Sequence, residues 1–254
     1  NGAKTISNFT IQPHGGASSR PGKSFVHEVK DSSTAVRLIP FEFSTVQTYV
    51  MEFGDQYIRF FKDKGIITES GKTITNISQA NPAVVTSTSH GYNNGDHVII
   101  TSVTGMVEVN GKTFKVANAT ANTFELQDVD GNNIDSSSYT AYASGGTAFR
   151  IYEIASPYAA ADVAQLKFAQ SADIMYICHP DYAVRKLSRT GHTSWTLDEV
   201  EFNVPPFQAH NDTTTTITAS HTAVGSSATF TASSTTGING GDGFKSTDVG
   251  RAIH

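Results

Sequence analysis

Glycine turns punctuate the middle of the chain at short, even intervals: Asn94-Gly95-Asp96, Asn110-Gly111-Lys112, Asp130-Gly131-Asn132 and Gly145-Gly146. Such pairs supply the backbone of a tight hairpin. The intervening runs are Val84-Val85-Thr86, His97 to Thr101, Lys112 to Val116, Thr123 to Leu126 and Ala148 to Tyr152. Phe114 and Val116 share one face of their run, Phe124 and Leu126 one face of theirs, and Lys115 and Glu125 lie opposite. That is the alternation of a half-solvated sheet. Residues 76–147 therefore read as a small, barrel-like β domain, just long enough to sustain a core of its own.

The flanking stretches are also β but carry larger side chains. Tyr49, Met51 and Phe53 alternate with Val50 and Glu52, Gly54-Asp55 turns the chain, and Tyr57 to Phe61 returns as the second arm of a hairpin. Val36 to Phe43 is strand-like, but Pro40 lacks a ladder donor and confines that strand to an edge or bulge. Asp173 to His179 is an apolar strand stopped by Pro180; Ala183 to Ser188 and Trp195 to Val200 follow it as a meander, the unit of a propeller blade. Pro157 followed by an alanine-rich stretch to Gln170 predicts one short helix, with proline in its first turn. The expected architecture is all-β (mainly β): a propeller-like platform made of 1–75 and 148–210, an inserted domain at 76–147, and a further β module over 211–254. That last module is Thr- and Ser-rich, with strands at Ile217 to Ala219 and Ala228 to Thr231. Asp248 to His254 read as a strand just beginning, so the chain is expected to be a piece of a longer protein.

Charge and cysteine content narrow the function. With 18 basic against 23 acidic residues the net charge is −5, unlike a basic nucleic-acid binder. No run approaches the roughly 18 apolar residues of a membrane span, and Asn1-Gly-Ala-Lys opens no hydrophobic signal segment, so a soluble chain is expected. The single cysteine, Cys178, excludes an internal disulfide framework or multi-thiolate metal site and fits folding in a reducing cytosol.

Candidate chemistry is sparse. None of the nine histidines has the i, i+4 or His-x-His spacing that aims two imidazoles at one ion. Asp128 to Asp135 lacks the regular oxygens of a calcium loop and reads as a hairpin turn. No Gly-x-Ser-x-Gly pentapeptide occurs, and Cys178 sits within an apolar strand, where it is expected to be a small core hydrophobe. The carboxylates available for sugar hydrolysis, Glu28, Glu42, Glu52 and Asp173, are each placed singly. Arg20, and the cluster Arg185-Lys186 with Arg189, could touch phosphate, but on an acidic chain they are expected to meet carboxylates at subunit contacts. These residues predict no enzyme, no metal and no cofactor.

Five segments outside the insertion belong together: Gly15 to Gly22, Arg37 to Ser44, Tyr49 to Gly54, Phe168 to Pro180, and Arg185 to Arg189 leading to Trp195. In order and spacing they resemble the N-terminal part of tail nozzle or tail hub proteins of short-tailed bacteriophages. The resemblance implies a virion structural subunit, assembled in the host cytoplasm into a homo-oligomeric ring, commonly of six. Such a ring lies below the portal and adaptor, meets other tail proteins, and encloses the DNA exit channel without binding DNA specifically or entering a membrane. An acidic wall suits that role, because it lets DNA slide.

Within the insertion, His90-Gly91, Asn94-Gly-Asp96, Gly105-Met106, Asn110-Gly-Lys112 and Tyr142 to Gly146 resemble the first catalytic cysteine half-domain of ubiquitin-activating enzymes. That domain carries no catalytic cysteine despite its name, and this stretch has none, so no ubiquitin chemistry is implied. Phe244 to Arg251 resembles a motif of phage tail β modules. The alternative is a carbohydrate-binding or polysaccharide-degrading tail module, which would need Tyr92, Tyr139 and Tyr142 clustered on an exposed face. In a ring, the loops Gly15 to Pro21 and Pro205 to Asn211 are expected to be ordered by neighbours, with Phe9, Phe25, Phe202 and Phe207 anchored in the domain.

Overall fold

The computed structural model describes residues 7–20, 22–43, 48–202, 213–223, 225 and 227–246. The fold is all-β. A short hairpin, β1 (Phe9–Ile11) with β2 (Ala17–Ser19), comes first. Next come β3 (Arg37–Glu42), β4 (Thr48–Gly54), β5 (Tyr57–Lys62) and β6 (Gly65–Ile66). They are followed by β7 (Lys72–Thr73), β8 (Asn76–Ile77), β9 (Val84–Thr86), β10 (His97–Thr104), β11 (Lys112–Ala117), β12 (Thr123–Gln127) and β13 (Ser144–Arg150). After these, β14 (Glu153–Ala155) pairs with β5 and completes a sheet of order β14-β5-β4-β3, with β6 beside β5. The meander β15 (Lys167–Ser171), β16 (Ile174–His179), β17 (Tyr182–Gly191) and β18 (Ser194–Glu199) forms a second sheet, and β19 (Ile217–Ala219) pairs with β20 (Phe230–Ala232). The chain divides into two compact units, one up to Val200 and one from Glu201 onward. Among the described residues no helix is long and apolar enough to cross a membrane.

The seven strands β7 to β13 form one curled sheet. Their order is β7-β13-β10-β11-β12-β9-β8, so β7 and β8 lie at opposite edges although only Ile74 and Thr75 separate them. Ile74 N–H donates to Gly146 on one side, and Thr75 N–H donates to Thr86 on the other. One bent segment therefore bonds to both edges and curls the sheet toward a barrel. Its interior holds Val85, Val98, Ile100, Phe114, Phe124 and Leu126. Gly146 has φ +102°, and a Cβ there would lie 2.6 Å from Val103, so β13 passes only where no side chain stands. The barrel strands extend beyond 76–147, to Lys72 and Arg150.

The other two sheets share one core. Ile39, Phe41, Tyr49, Met51, Phe53, Ile58 and Phe60 meet Met175, Ile177, Leu187 and Trp195. Trp195 stacks on Phe60 with centroids 4.3 Å apart and takes the edges of Phe41 at 4.8 Å and Tyr49 at 5.4 Å. Pro40 lies in β3 at the sheet edge, where its missing N–H costs no ladder bond.

The helix expected over Pro157 to Gln170 does not form. Tyr158, Val163 and Leu166 are buried, but only Val163–Gln165 makes a 3-10 turn. Arg37 Nη1 donates to the carbonyls of Val163, Ala164 and Leu166, and Lys167–Ser171 then pairs residue for residue with β16. Alanine propensity, worth at most about 0.7 kcal/mol per residue, yields to this ladder and burial. The aromatic anchors also differ from expectation: Phe9, Phe25 and Phe202 are exposed. Phe207, Pro21 and the loop Pro205 to Asn211 lie outside the described residues.

Replacing Phe60 with Ala should cost about 3–5 kcal/mol, because the cavity lies against Trp195 in a packed aromatic cluster. Denaturant unfolding followed by circular dichroism checks this, and the emission of Trp195, the single tryptophan, should shift to the red in the folded variant.

Candidate functional site

Across the outer face of the first sheet, register places Glu52, Arg59 and Glu153 side by side: Arg59 on β5 opposes Glu52 on β4 and Glu153 on β14. Arg59 is 1% exposed, and a buried charge needs partners. Its Nε donates to Glu153 Oε2 at 2.9 Å, and Lys30 Nζ donates to the other oxygen at 2.5 Å. Burial works to raise the Glu153 carboxyl, but Arg59 and Lys30 together outweigh it and hold the group below its ordinary range. Glu52, also buried, accepts from the Tyr57 hydroxyl at 2.5 Å and the Lys30 amide at 3.4 Å. Burial first, then the Glu52 carboxylate, pushes the Tyr57 phenol far up, so it stays protonated and donating. Gly54 makes this possible: a Cβ there would stand 2.2 Å from the Tyr57 ring.

The same face meets the barrel through a second set of charges. Arg150 donates to Glu69 Oε2 at 2.6 Å and Asp96 Oδ2 at 3.2 Å, tying the strand that leaves the barrel to residues before and within it. His97 at the start of β10 is 4% exposed, and neither ring nitrogen has a hydrogen-bond partner among the described residues. Burial, then the nearby Arg59 and Lys30 cations, pushes its imidazole down to about 4, so it is neutral at physiological pH. A cleft of about 720 Å³ opens here, lined among others by Lys30, Asp55, Tyr57, Asp96, His97 and Glu153. The carboxylates Glu52, Glu69, Asp96 and Glu153 are each bound to a cation or phenol, and the hydroxyl side chains of the cleft lining are Ser33, Thr34 and Tyr57. Among the described residues no group of three or more His, Cys, Asp or Glu side chains is arranged to hold a metal. This arrangement holds two parts of the fold together.

The residues singled out from sequence do not converge. Glu28 and Glu42 are exposed, Glu52 lies in the seam just described, and Asp173 accepts from Arg189 Nε at 2.9 Å. Arg189 also packs on Phe43 at 3.9 Å, and Arg185 pairs with Glu199 at 2.6 Å, so both are engaged within the chain. Lys186 opposes Tyr176 and Asp198 on the outer face of the meander, and Arg20 is exposed beside the β1–β2 hairpin. Cys178 is not in the core as expected; it is exposed. Met175, Ile177 and His179 take the inward positions of β16, and period two turns Tyr176 and Cys178 outward. Tyr92 is buried, donates to Ala148 and is pushed up to about 12 by burial, while Tyr139 and Tyr142 pack on the barrel core. They form no exposed aromatic platform.

Residues 80–151 match the family model described as the ubiquitin-activating enzyme E1 FCCH domain. The match covers β9 to β13 of the barrel, less than a third of the chain, while β7, β8 and Cys178 lie outside it. No curated protein matches the chain. The barrel is thus similar to the small E1 domain in sequence.

Substituting Glu153 with Gln should cost about 3 kcal/mol, since the buried Arg59 would lose its ion-pair partner; Glu199→Gln, which frees the more exposed Arg185, should cost under about 1 kcal/mol. Parallel urea titrations compare the two. For His97 the folded-state value lies below the unfolded 6.5, so the unfolded chain takes up the proton first as pH falls. Stability from this group is therefore full above about pH 6.5 and declines toward pH 4 by up to about 1.4 kcal/mol per unit. In His97→Gln, urea unfolding between pH 7 and 4 should show that slope reduced.

Proposed function

We propose that this chain is a structural subunit of a bacteriophage tail, part of a nozzle or hub ring around the DNA exit channel. The observation that carries the reading is the N-terminal segment: every described residue from Ser7 to Val26 is exposed, including Phe9, Ile11 and Phe25, the last 77% exposed. Large apolar side chains left in water along a segment with no core of its own mark a surface made to be covered by another chain. The phage-like sequence segments support the same reading. The described residues of four of the five, Arg37 to Phe43, Tyr49 to Gly54, Phe168 to Pro180 and Arg185 to Trp195, fall on or beside the two sheets that share the Trp195 core, and those of the fifth fall on the exposed segment. The mechanism is geometric: rigid β units set the wall of a channel, and the acidic balance of the chain lets DNA pass.

Size-exclusion chromatography with light scattering tests it. A ring subunit should elute at a multiple of 27.1 kDa and show closed particles by electron microscopy. It should also release no reducing sugar from host envelope polysaccharide. A species of 27.1 kDa at all concentrations that does release sugar would favour an enzyme instead.

A further inference from the structure

The first 27 residues carry Lys4, Arg20 and Lys23 and no carboxylate; the first acid is Glu28. The rest of the chain holds the other 15 basic residues against all 23 acidic ones, a net charge of −8. Charge is thus segregated into a basic N-terminal arm and an acidic body, and the two attract. The arm also has an apolar mismatch. Its hairpin is three residue pairs long with Phe9 and Ile11 in water, and an isolated two-stranded hairpin is marginally stable.

The body has a matching vacancy on the outer face of its first sheet. Pro40, Val50 and Phe61 are neighbours across β3, β4 and β5, and Leu38 lies two residues along from Pro40. Leu38 is 61% exposed, Val50 40%. With Val26, Val29 and Phe61 they line the apolar part of a groove of about 570 Å³ whose lining also includes Glu52, Lys62, Asp63 and Lys64, and Glu42 is exposed on the same face of β3. The chain's own Val26 and Val29 are at this groove, while the hairpin a few residues upstream is exposed throughout, so the arm does not seat on its own body.

We propose that the hairpin arm of one copy docks in the Leu38–Val50–Phe61 groove of a second copy, with Phe9 and Ile11 as its apolar anchors and its cations against the acidic body. This rests on the ring reading and names the contact that links subunits. A head-to-tail contact of this kind closes into a ring when each copy donates one arm and receives one.

The test uses the full chain with Cys178 changed to Ser. Protein carrying Ile11→Cys is mixed with protein carrying Leu38→Cys and mildly oxidised. A covalent two-chain product joining positions 11 and 38 is expected, and association should weaken at least tenfold in a Phe9→Ser, Ile11→Ser variant and on raising salt. A cross-link that forms only within a chain bearing both cysteines, no cross-link at all, or oligomers that persist unchanged without Phe9 and Ile11 would overturn the arm contact while leaving the ring reading standing. So would hydrogen-exchange protection of residues 7–20 that appears only on adding DNA. A full chain that stays monomeric at high concentration would instead overturn the ring reading itself.

Discussion

The buried guanidinium of Arg59 constrains the whole first unit. It sits in the middle of β5 between Tyr57, Ile58 and Phe60, and it can be accommodated only if anions arrive on the neighbouring strands. Glu52 comes from the preceding strand, but Glu153 comes from beyond the inserted barrel. Pairing Arg59 with Glu153 therefore brings the chain back to the strand it left, and the bridge from Thr68 to Ile151 and the Arg150 pairs with Glu69 and Asp96 close the junction. A one-residue slip of β5 would turn Arg59 into the Trp195 core and Phe60 into water, so the charged line also sets register.

Charge and apolar surface are used in opposite ways. Inside the seam Glu52, Glu69, Asp96 and Glu153 are each matched by a cation or phenol, which makes it a clamp. Outside, apolar groups are left uncovered on the arm and on the Leu38–Val50 face. The arm is basic and the body acidic. Matched carboxylates inside and uncovered apolar groups outside are the reason that the proposed role is architectural.

Several features were legible from the residues because they depend on local geometry. Asn110-Gly111 marked the turn between β10 and β11, period two assigned Phe114, Val116, Phe124 and Leu126 to the barrel interior, and Pro40 marked an edge, whereas Gly145-Gly146, read as a turn, lies within β13. The seam was not legible, although Arg59 within an apolar run was a signal: an unpaired charge there implies a partner, but the partner lies 94 residues away. Cys178 was misplaced because a run of apolar residues does not say which of its two faces is inward until a neighbouring strand fixes the pleat.

The sequence by itself determined the β class, the alternation of the barrel strands and the basic character of the N-terminal arm, because these follow from backbone preference, alternation and charge counting over short distances. Tertiary structure alone decided the curling of the barrel sheet through Ile74 and Thr75, the Glu52–Arg59–Glu153 line, and the conversion of an alanine-rich stretch into β15. Each of these depends on which distant strand supplies hydrogen-bond partners, and small differences in local propensity give way to a ladder that satisfies buried backbone groups.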